Sequence, residues 1–465
     1  MFRSGTKIYQ EIKQQAIPAE VILKRYITEL TENAAIDLGL YDKYNVKRGL
    51  RNADGTGVLV GLTRIGDVHG YIIDEGEKVA VDGKLYYRGI DVEDIVANAE
   101  AEKRYGFEET VYLLLFGELP TKTQLEDFCG LLGASRTLPK NFAEDAIMKA
   151  PSRDMMNKLA RSILTLYSYD EAPEDRSPAN MLRQCLELIA RFPTIVAYSY
   201  MAMKHYYDHE SLIIHMPEQD SSIAESLLSL IRHDQQFSRL EAEILDLALI
   251  LHAEHGGGNN STFAVHLVSS ADTDTFSAIS AGIVSLKGYK HGGANIKVMQ
   301  MMDDIKKNVQ HWDSEAEVAD YLEKILLGKA NDGSGLIYGQ GHAVYTISDP
   351  RARLLRDKAA LLAAEKHLLD EFNLYRLIER ITTEVFCKVK GSDKKICTNV
   401  DFYSGFVYKM LAIPPDLYTT LFAISRVAGW CAHRLEEAIA GGRIIRPAYK
   451  CVQKRHEYTP LSERG

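Results

Sequence analysis

No two of the six cysteines in this 465-residue chain stand at CxxC spacing: Cys129, Cys185, Cys387, Cys397, Cys431 and Cys451 are scattered along it. That excludes a zinc knuckle and argues against a disulfide framework, so a reducing cytoplasm is the expected compartment. Long apolar runs are missing too. The longest, near 245–251 and 111–116, fall far short of a bilayer, and the opening MFRSGTKIYQEIKQQ lacks the apolar stretch of a signal peptide, so no membrane role is expected. Positive charge is in deficit, with 55 Lys and Arg against 64 Asp and Glu, and no basic run marks a nucleic-acid surface. With a formal net charge of −9, any anionic substrate has to be met by local cations. Internal repeats and low-complexity tracts are also absent from the sequence.

What is present is apolar content, 46%, enough for two or three domains, arranged mostly with helical periodicity. Leu240, Ile244, Leu247 and Leu251 form one stripe, His255 extends it by a turn, and Gly256, Gly257 and Gly258 stop the helix. Leucine pairs at 354/355, 361/362 and 368/369 predict one helix over 354–381. A further helix is expected to start near Pro178 and to kink or break at Pro193. The exception is KVAVDGKLYYRG (78–89), where Asp82-Gly83 between alternating segments predicts a β-hairpin. The fold class expected is therefore all-α with one small β-hairpin. The polar loops near 170–178 and 391–395 are too short for linkers, which leaves glycine hinges as domain boundaries.

Four clusters carry the chemistry: HAEHGGGNNS (252–261), GYKHGGAN (288–295), YGQGHAVYTISDPRAR (338–353) and TNVDFYSG (398–405). A lone histidine beside glycine is ordinarily a turn or cap residue; three in one chain shift that balance. His252 and His255, three apart on one expected helix with Glu254 between them, suggest a metal site, but the spacing is not HExxH and no cysteine or carboxylate pair completes a ligand set, so no metal is expected. Arg351, Arg353 and Arg443 read as surface arginines at helix ends. Arg426 does not: in the apolar stretch LFAISRVAGW a guanidinium needs an anion, and a carboxylate suits it best. Asp401, between Val400 and Phe402, reads as the cap of a helix over 402–412, and desolvation there would make it a stronger base. Histidine donors, arginine clamps, an aspartate base and glycines permitting close approach together suit carbon–carbon bond formation between an enolised acyl thioester and a ketodiacid.

In HAEHGGGN, KHGGAN, GQGHAVY with DPRA, NVDFYSG and ISRVAGW, and over most of the chain from GKLYYRG (83–89) to IIRP (444–447), the sequence resembles the citrate synthase family, which includes 2-methylcitrate synthases. The resemblance implies a two-domain helical fold, with a large domain of 1–293 and 403–465 and a small one of 294–402 that closes over substrate. It implies an acyltransferase that condenses acetyl-CoA, a co-substrate and not a tightly bound cofactor, with oxaloacetate and water to give citrate and CoA; the alternative is propionyl-CoA, giving 2-methylcitrate. His291 would donate to the thioester oxygen, Asp401 would remove a methyl proton, and His342 would polarise the keto group. His255, Arg351, Arg426 and Arg446 would hold the carboxylates of oxaloacetate, Arg446 from a second subunit, so a homodimer with a shared site is expected. Gly339 and Gly341 would approach the CoA adenine, and Lys394 and Lys395 its phosphates, with Arg51 a further candidate across the dimer. In many family members a Lys or Arg stands four residues after the histidine of the GH motif, where this chain has Thr346, so one phosphate contact is expected to be missing. Two readings from other classes compete: a silent helical scaffold that binds a carboxylate or CoA, and a metalloprotein.

Overall fold

The computed structural model describes residues 19–52, 54–75, 77–342, 344–393 and 395–464. The chain divides into two compact units, 1–61 and 62–465. In the first, a helix over Ala19–Ala34 and a short one over Gly39–Lys43 precede an isolated bridge between Arg51 and Gly57.

The second unit is mostly helical, with one three-stranded antiparallel sheet in the order β1 (Gly66–Asp74), β2 (Glu77–Tyr87), β3 (Ile90–Asp91). The all-α expectation with a small β element holds, but the hairpin turns elsewhere. Residues 77–87 run as one strand, paired from Asp74↔Glu77 to Gly66↔Tyr87, so the chain turns after Asp74, with Glu75 at φ 48°, and not at Asp82-Gly83. Gly83 answers a tertiary need instead. A Cβ there would lie within van der Waals overlap of the Ser348 carbonyl oxygen, and the Gly83 N–H donates to Ser348 Oγ at 3.1 Å. The strand thus presses directly on the loop that carries His342.

Nine helices build the rest of the site region: α1 (Pro178–Asp208), α2 (Arg239–His252), α3 (Asn260–Ser269), α4 (Thr275–Lys287), α5 (Ala294–Asn308), α6 (Pro350–Glu365), α7 (Leu369–Lys390), α8 (Val400–Met410) and α9 (Tyr418–Ala440). α1 starts where expected, with Ser177 as cap and Pro178 in the first turn, but it runs unbroken through Pro193. From Gln184 to Met203 nearly every side chain is buried, and that packing offsets the one backbone hydrogen bond the proline removes. The leucine-paired stretch 354–381 is two helices, α6 and α7, separated at Lys366–Leu368, where His367 takes φ 57°. The apolar period continues across the break, which is why the sequence reads as one helix.

α2 opens with a reciprocal cap, Ser238 accepting from the Glu241 N–H and Glu241 accepting from that of Ser238. It ends at His252, one turn earlier than the stripe predicts, so His255 stands in the following loop and shares no helix with His252. α9 is buried along most of its length, with Trp430 and Arg426 fully enclosed, and it packs against α1, α2, α3 and α4. The site forms around this central helix.

Candidate active site

The loop after α2 is tied down at the end of β2, where the Tyr87 hydroxyl donates to the carbonyls of Ile250 at 2.9 Å and Glu254 at 3.3 Å. Gly256 takes φ +82° and turns the chain toward α3. His255 therefore leaves the helix with its ring against His342, centroids 5.2 Å apart, and its Nε2 is buried with no partner among the described residues. Burial, then Arg351 and His342, hold its pKa well below 6.5, so the ring is neutral.

Arg426 has no exposed surface. Its Nε donates to the His252 carbonyl at 2.6 Å and its guanidinium lies 4.7 Å from the Phe422 ring centroid. Neither Nη1 nor Nη2 has a partner among the described residues. Burial drives its pKa down to about 10, and the Glu254 charge is the main influence resisting that. The anion that the sequence demands for Arg426 is thus nearby but not in contact, leaving two buried N–H groups to be filled. Arg351 is also buried, against the surface reading, because Asp349, the cap of α6, grips it through Nε at 3.0 Å and Nη2 at 2.7 Å. Arg353 does reach the surface, paired with Glu93, and Arg443 is exposed.

His291 lies in the turn between α4 and α5. The turn closes through Gly292, whose N–H donates to Leu286 O at 2.9 Å and where a Cβ would overlap that same oxygen. His291 Nε2 is 3.1 Å from Ser261 Oγ, which also accepts from Trp430 Nε1 and lies 2.9 Å from Asn259 Oδ1. Burial, with Arg426 second, lowers the His291 pKa to about 4. His342 shows its tautomer directly. Its Nδ1 accepts from the N–H groups of Val344 and Tyr345, both at 3.1 Å, so the proton of the neutral ring is on Nε2. Tyr345 stacks on it at 4.7 Å.

Asp401 is in the first turn of α8 but does not cap it; Asn399 does, accepting from the Asp401 N–H at 3.0 Å. Burial raises the Asp401 pKa to about 6, with Arg351 and Arg426 opposing and Asp349 adding to the rise. The same Asn399 ties two loops together: its Nδ2 donates to Gly341 O at 2.8 Å and its N–H to Gly339 O at 2.9 Å. Gly339, at φ +79° and packed on Phe402, and Gly341, at φ +87°, adopt conformations that favour glycine.

His255, His291, His342, Arg351, Arg426 and Asp401 accordingly share one electrostatic field. Of the other expected residues, Arg446 and Lys395 do not join them among the described residues. Arg446 is exposed in the extended segment after α9, and Lys395 is exposed. Lys394 lies outside the described residues. Arg51 belongs to the first unit, where its Nη1 donates to Gly55 O at 3.3 Å. No group of three metal-ligating side chains converges among the described residues. His252 instead has Nδ1 2.7 Å from Ala248 O within its own helix, and no described helix is long and apolar enough to cross a membrane.

Sequence reasoning missed three participants: Ser261, Asn399 and Glu254. The first two lie inside the quoted motifs as unremarked polar residues, and Glu254 was weighed only as a metal ligand. It is fully buried, with Oε1 accepting from the Gly256 N–H at 2.5 Å and lying 3.0 Å from His433 Nε2. Burial alone would raise its pKa, but His433 and then Arg426 override that and hold it below the usual range.

Comparison with known proteins identifies the family and the fold. The family model for the citrate synthase C-terminal domain matches residues 53–448. Over 405 residues the chain is 31% identical to a citrate synthase of Haloferax volcanii, covering 85% of this chain and 98% of that one. It is 34% identical over 372 residues to a 2-methylcitrate synthase of Shewanella oneidensis, covering 80% and 89%. Among solved structures, a citrate synthase from Thermoplasma acidophilum in ternary complex with carboxymethyl coenzyme A and oxaloacetate matches with TM-score 0.73 at 26% identity, covering 90% of this chain and 99% of that one. A citrate synthase from Thermotoga maritima matches with TM-score 0.70 at 30% identity, covering 90% and 99%. The buried arginine and histidines around α9 are thus set in a known scaffold, and the chain belongs to the citrate synthase family of acyl-group transferases.

Proposed function

We propose that the protein is a citrate synthase, condensing acetyl-CoA with oxaloacetate and water to give citrate and CoA. The observation that carries this reading is the pair of buried Nη groups on Arg426 that have no partner among the described residues, with His255 Nε2 likewise unpartnered among them and Asp401 within the same field. Buried donors left unpaired cost free energy, and a dicarboxylate satisfies them. Arg351 completes the clamp from its Asp349-held position, and Arg446 of a second copy would reach the remaining carboxylate, making the unit a homodimer.

In this reading Asp401, ionised above about pH 6, takes a methyl proton from the thioester while His291 donates to the thioester oxygen, so enolate charge is met as it forms. Its lowered pKa keeps His291 neutral, as such a donor must be. Ser261 has one hydroxyl proton, which faces Asn259 Oδ1; turning it to His291 Nε2 would put the ring proton on Nδ1, the nitrogen that donates in this reading. The enolate carbon attacks the keto carbon, and His342, with its proton on Nε2, polarises the carbonyl and protonates the alkoxide. Water then hydrolyses citryl-CoA, releasing citrate and CoA. Residues 294–402 would act as the small domain, closing against the rest of the second unit to exclude water until both substrates are bound. Gly339, Gly341, Lys394, Lys395 and Arg51 are the proposed CoA contacts, and the cytoplasm the proposed location.

The relatives named 2-methylcitrate synthase favour a second reading with propionyl-CoA, since one methylene changes discrimination by only about 1–3 kcal/mol. Steady-state release of free thiol from acetyl-CoA and propionyl-CoA, with and without oxaloacetate and in the presence of EDTA, separates these outcomes. Oxaloacetate-dependent release favouring acetyl-CoA is expected. Preference for propionyl-CoA would assign the second reading, and no release with either would return the protein to a binding scaffold.

A further inference from the structure

Behind the site runs a chain of titratable side chains for which the reaction described above has no use. His433 on α9 places Nε2 3.0 Å from Glu254 Oε1, and its Nδ1 lies 2.9 Å from His266 Nε2 on α3. The remaining nitrogen of His266, Nδ1, is 3.0 Å from Glu437 Oε2. Glu254 and His433 are fully buried, while the Glu437 side chain keeps 18% of its surface exposed. The line therefore leads from beneath Arg426 to solvent.

Its protons can be counted. Three hydrogen bonds in series need three protons, one in each gap. Two neutral imidazoles between two ionised carboxylates supply only two, which would leave two nitrogen lone pairs facing each other at 2.9 Å. We infer that Glu254, His433, His266 and Glu437 bind one proton in excess of that neutral count, carry a net charge of −1, and serve as a proton-linked counter-ion for Arg426 that tunes dicarboxylate affinity.

The surroundings fit a single extra proton. Glu436 Oε2 stands 4.0 Å from His433 Nδ1, adding negative charge that favours it, while its other oxygen accepts from the Arg64 N–H. The positive groups facing the line are the Arg426 guanidinium, through Glu254, and Arg88, through Glu254 and Glu436. Burial and the neighbouring imidazole oppose a second proton on His266. Loss of the shared proton takes the line from −1 to −2 beside the arginine that receives the substrate carboxylate. Dicarboxylate binding then weakens, and by linkage bound dicarboxylate strengthens the line's hold on its proton.

The charge count stands by itself; the affinity claim rests on the reading of Arg426 as the oxaloacetate anchor. Neutron diffraction from deuterium-exchanged crystals of the full chain near pH 7 is expected to show three deuterons along the line. Two, with the gap between the imidazoles empty, would overturn the inference. The functional half is read from KM for oxaloacetate between about pH 6.5 and 9 in the thiol-release assay. In the wild type KM is expected to rise by roughly three- to tenfold, the factor that half to one pKa unit of coupling produces, without a matching change in kcat. His266→Gln removes the extra proton and should flatten the rise; Glu437→Gln, at the partly exposed end and safe for folding, should move it to lower pH. A wild-type rise that persists unchanged in both variants, or no rise at all, would overturn the link to Arg426. Absence of any oxaloacetate-dependent release in the wild type would instead break the functional reading and leave the deuteron count to be judged alone.

Discussion

Two carboxylates flank the same arginine and are driven in opposite directions. Asp401, on α8, has burial with no cation in contact, and its pKa rises to about 6; Glu254, in the loop after α2, is more deeply buried, yet His433 and Arg426 hold it low. Depth alone does not set basicity. The Asp401 side chain is left with a poorly stabilised charge, ready to accept a proton, whereas the Glu254 charge is held by the Gly256 N–H and His433 at Oε1 and by the field of Arg426. One is suited to move a proton and the other to hold a neighbouring cation.

Asp401→Asn should separate them most sharply. Turnover should fall by about 10²- to 10⁴-fold, the usual contribution of a general base. Stability should move the other way. A carboxylate whose folded pKa lies above its unfolded value loses stability as pH rises from about 4 through about 6, so at pH 7.5 the neutral asparagine should be up to about 2 kcal/mol more stable, read as a higher Tm. A lower Tm with retained turnover would make Asp401 a structural residue. The same pKa gives the wild type an acid limb: kcat should drop as pH falls through about 6, and a limb near 4 would mean Asp401 feels no desolvation when substrate is bound.

Glu254→Gln should give the mirror image. Without that charge the buried Arg426 keeps only the weaker influence of Asp401 in the unliganded protein, and stability should fall by about 2–3 kcal/mol. Removing a negative charge beside the substrate carboxylate should at the same time lower KM for oxaloacetate a few-fold, with kcat little changed. Denaturant unfolding and steady-state kinetics on one preparation test both. Loss of turnover on the scale of Asp401→Asn would show that Glu254 takes part in the chemistry and erase the contrast.

The sequence carries these two residues unequally, and the reason is physical. Asp401, His291, His342 and Arg426 are legible because each is out of place locally: a histidine in a glycine turn, an arginine in an apolar helix, an acid between Val400 and Phe402. Glu254 acquires its meaning from His433, 179 residues away in sequence, and no local pattern records that pairing. The hairpin shows the converse failure. Asp-Gly is a turn signal when the strand has nothing against it, but here Gly83 lies against Ser348 and Tyr345, and the glycine serves contact instead of turning. The sequence puts His255 on the helix and shows no break at 366–368 for a similar reason, since apolar periodicity runs on past points where the backbone leaves the helix.

The smallest effect concerns what holds Asp401 in position. Asn399, not Asp401, caps α8, and its side chain also reaches Gly341 O at 2.8 Å in the loop that carries His342. Asn399→Ala should cost about 1 kcal/mol for the cap, visible in Tm. It also removes the side-chain tie from the start of α8 to Gly341, leaving only the backbone bond to Gly339 O, so the brace shared by the base and the keto-polarising histidine is weakened, and turnover should fall by several-fold, far less than for Asp401→Asn. Asn399→Asp keeps the cap oxygen but loses the amide that grips Gly341, so it should restore most of the Tm and little of the turnover. If the aspartate restores both, the brace contributes nothing, and the base is placed by α8 alone.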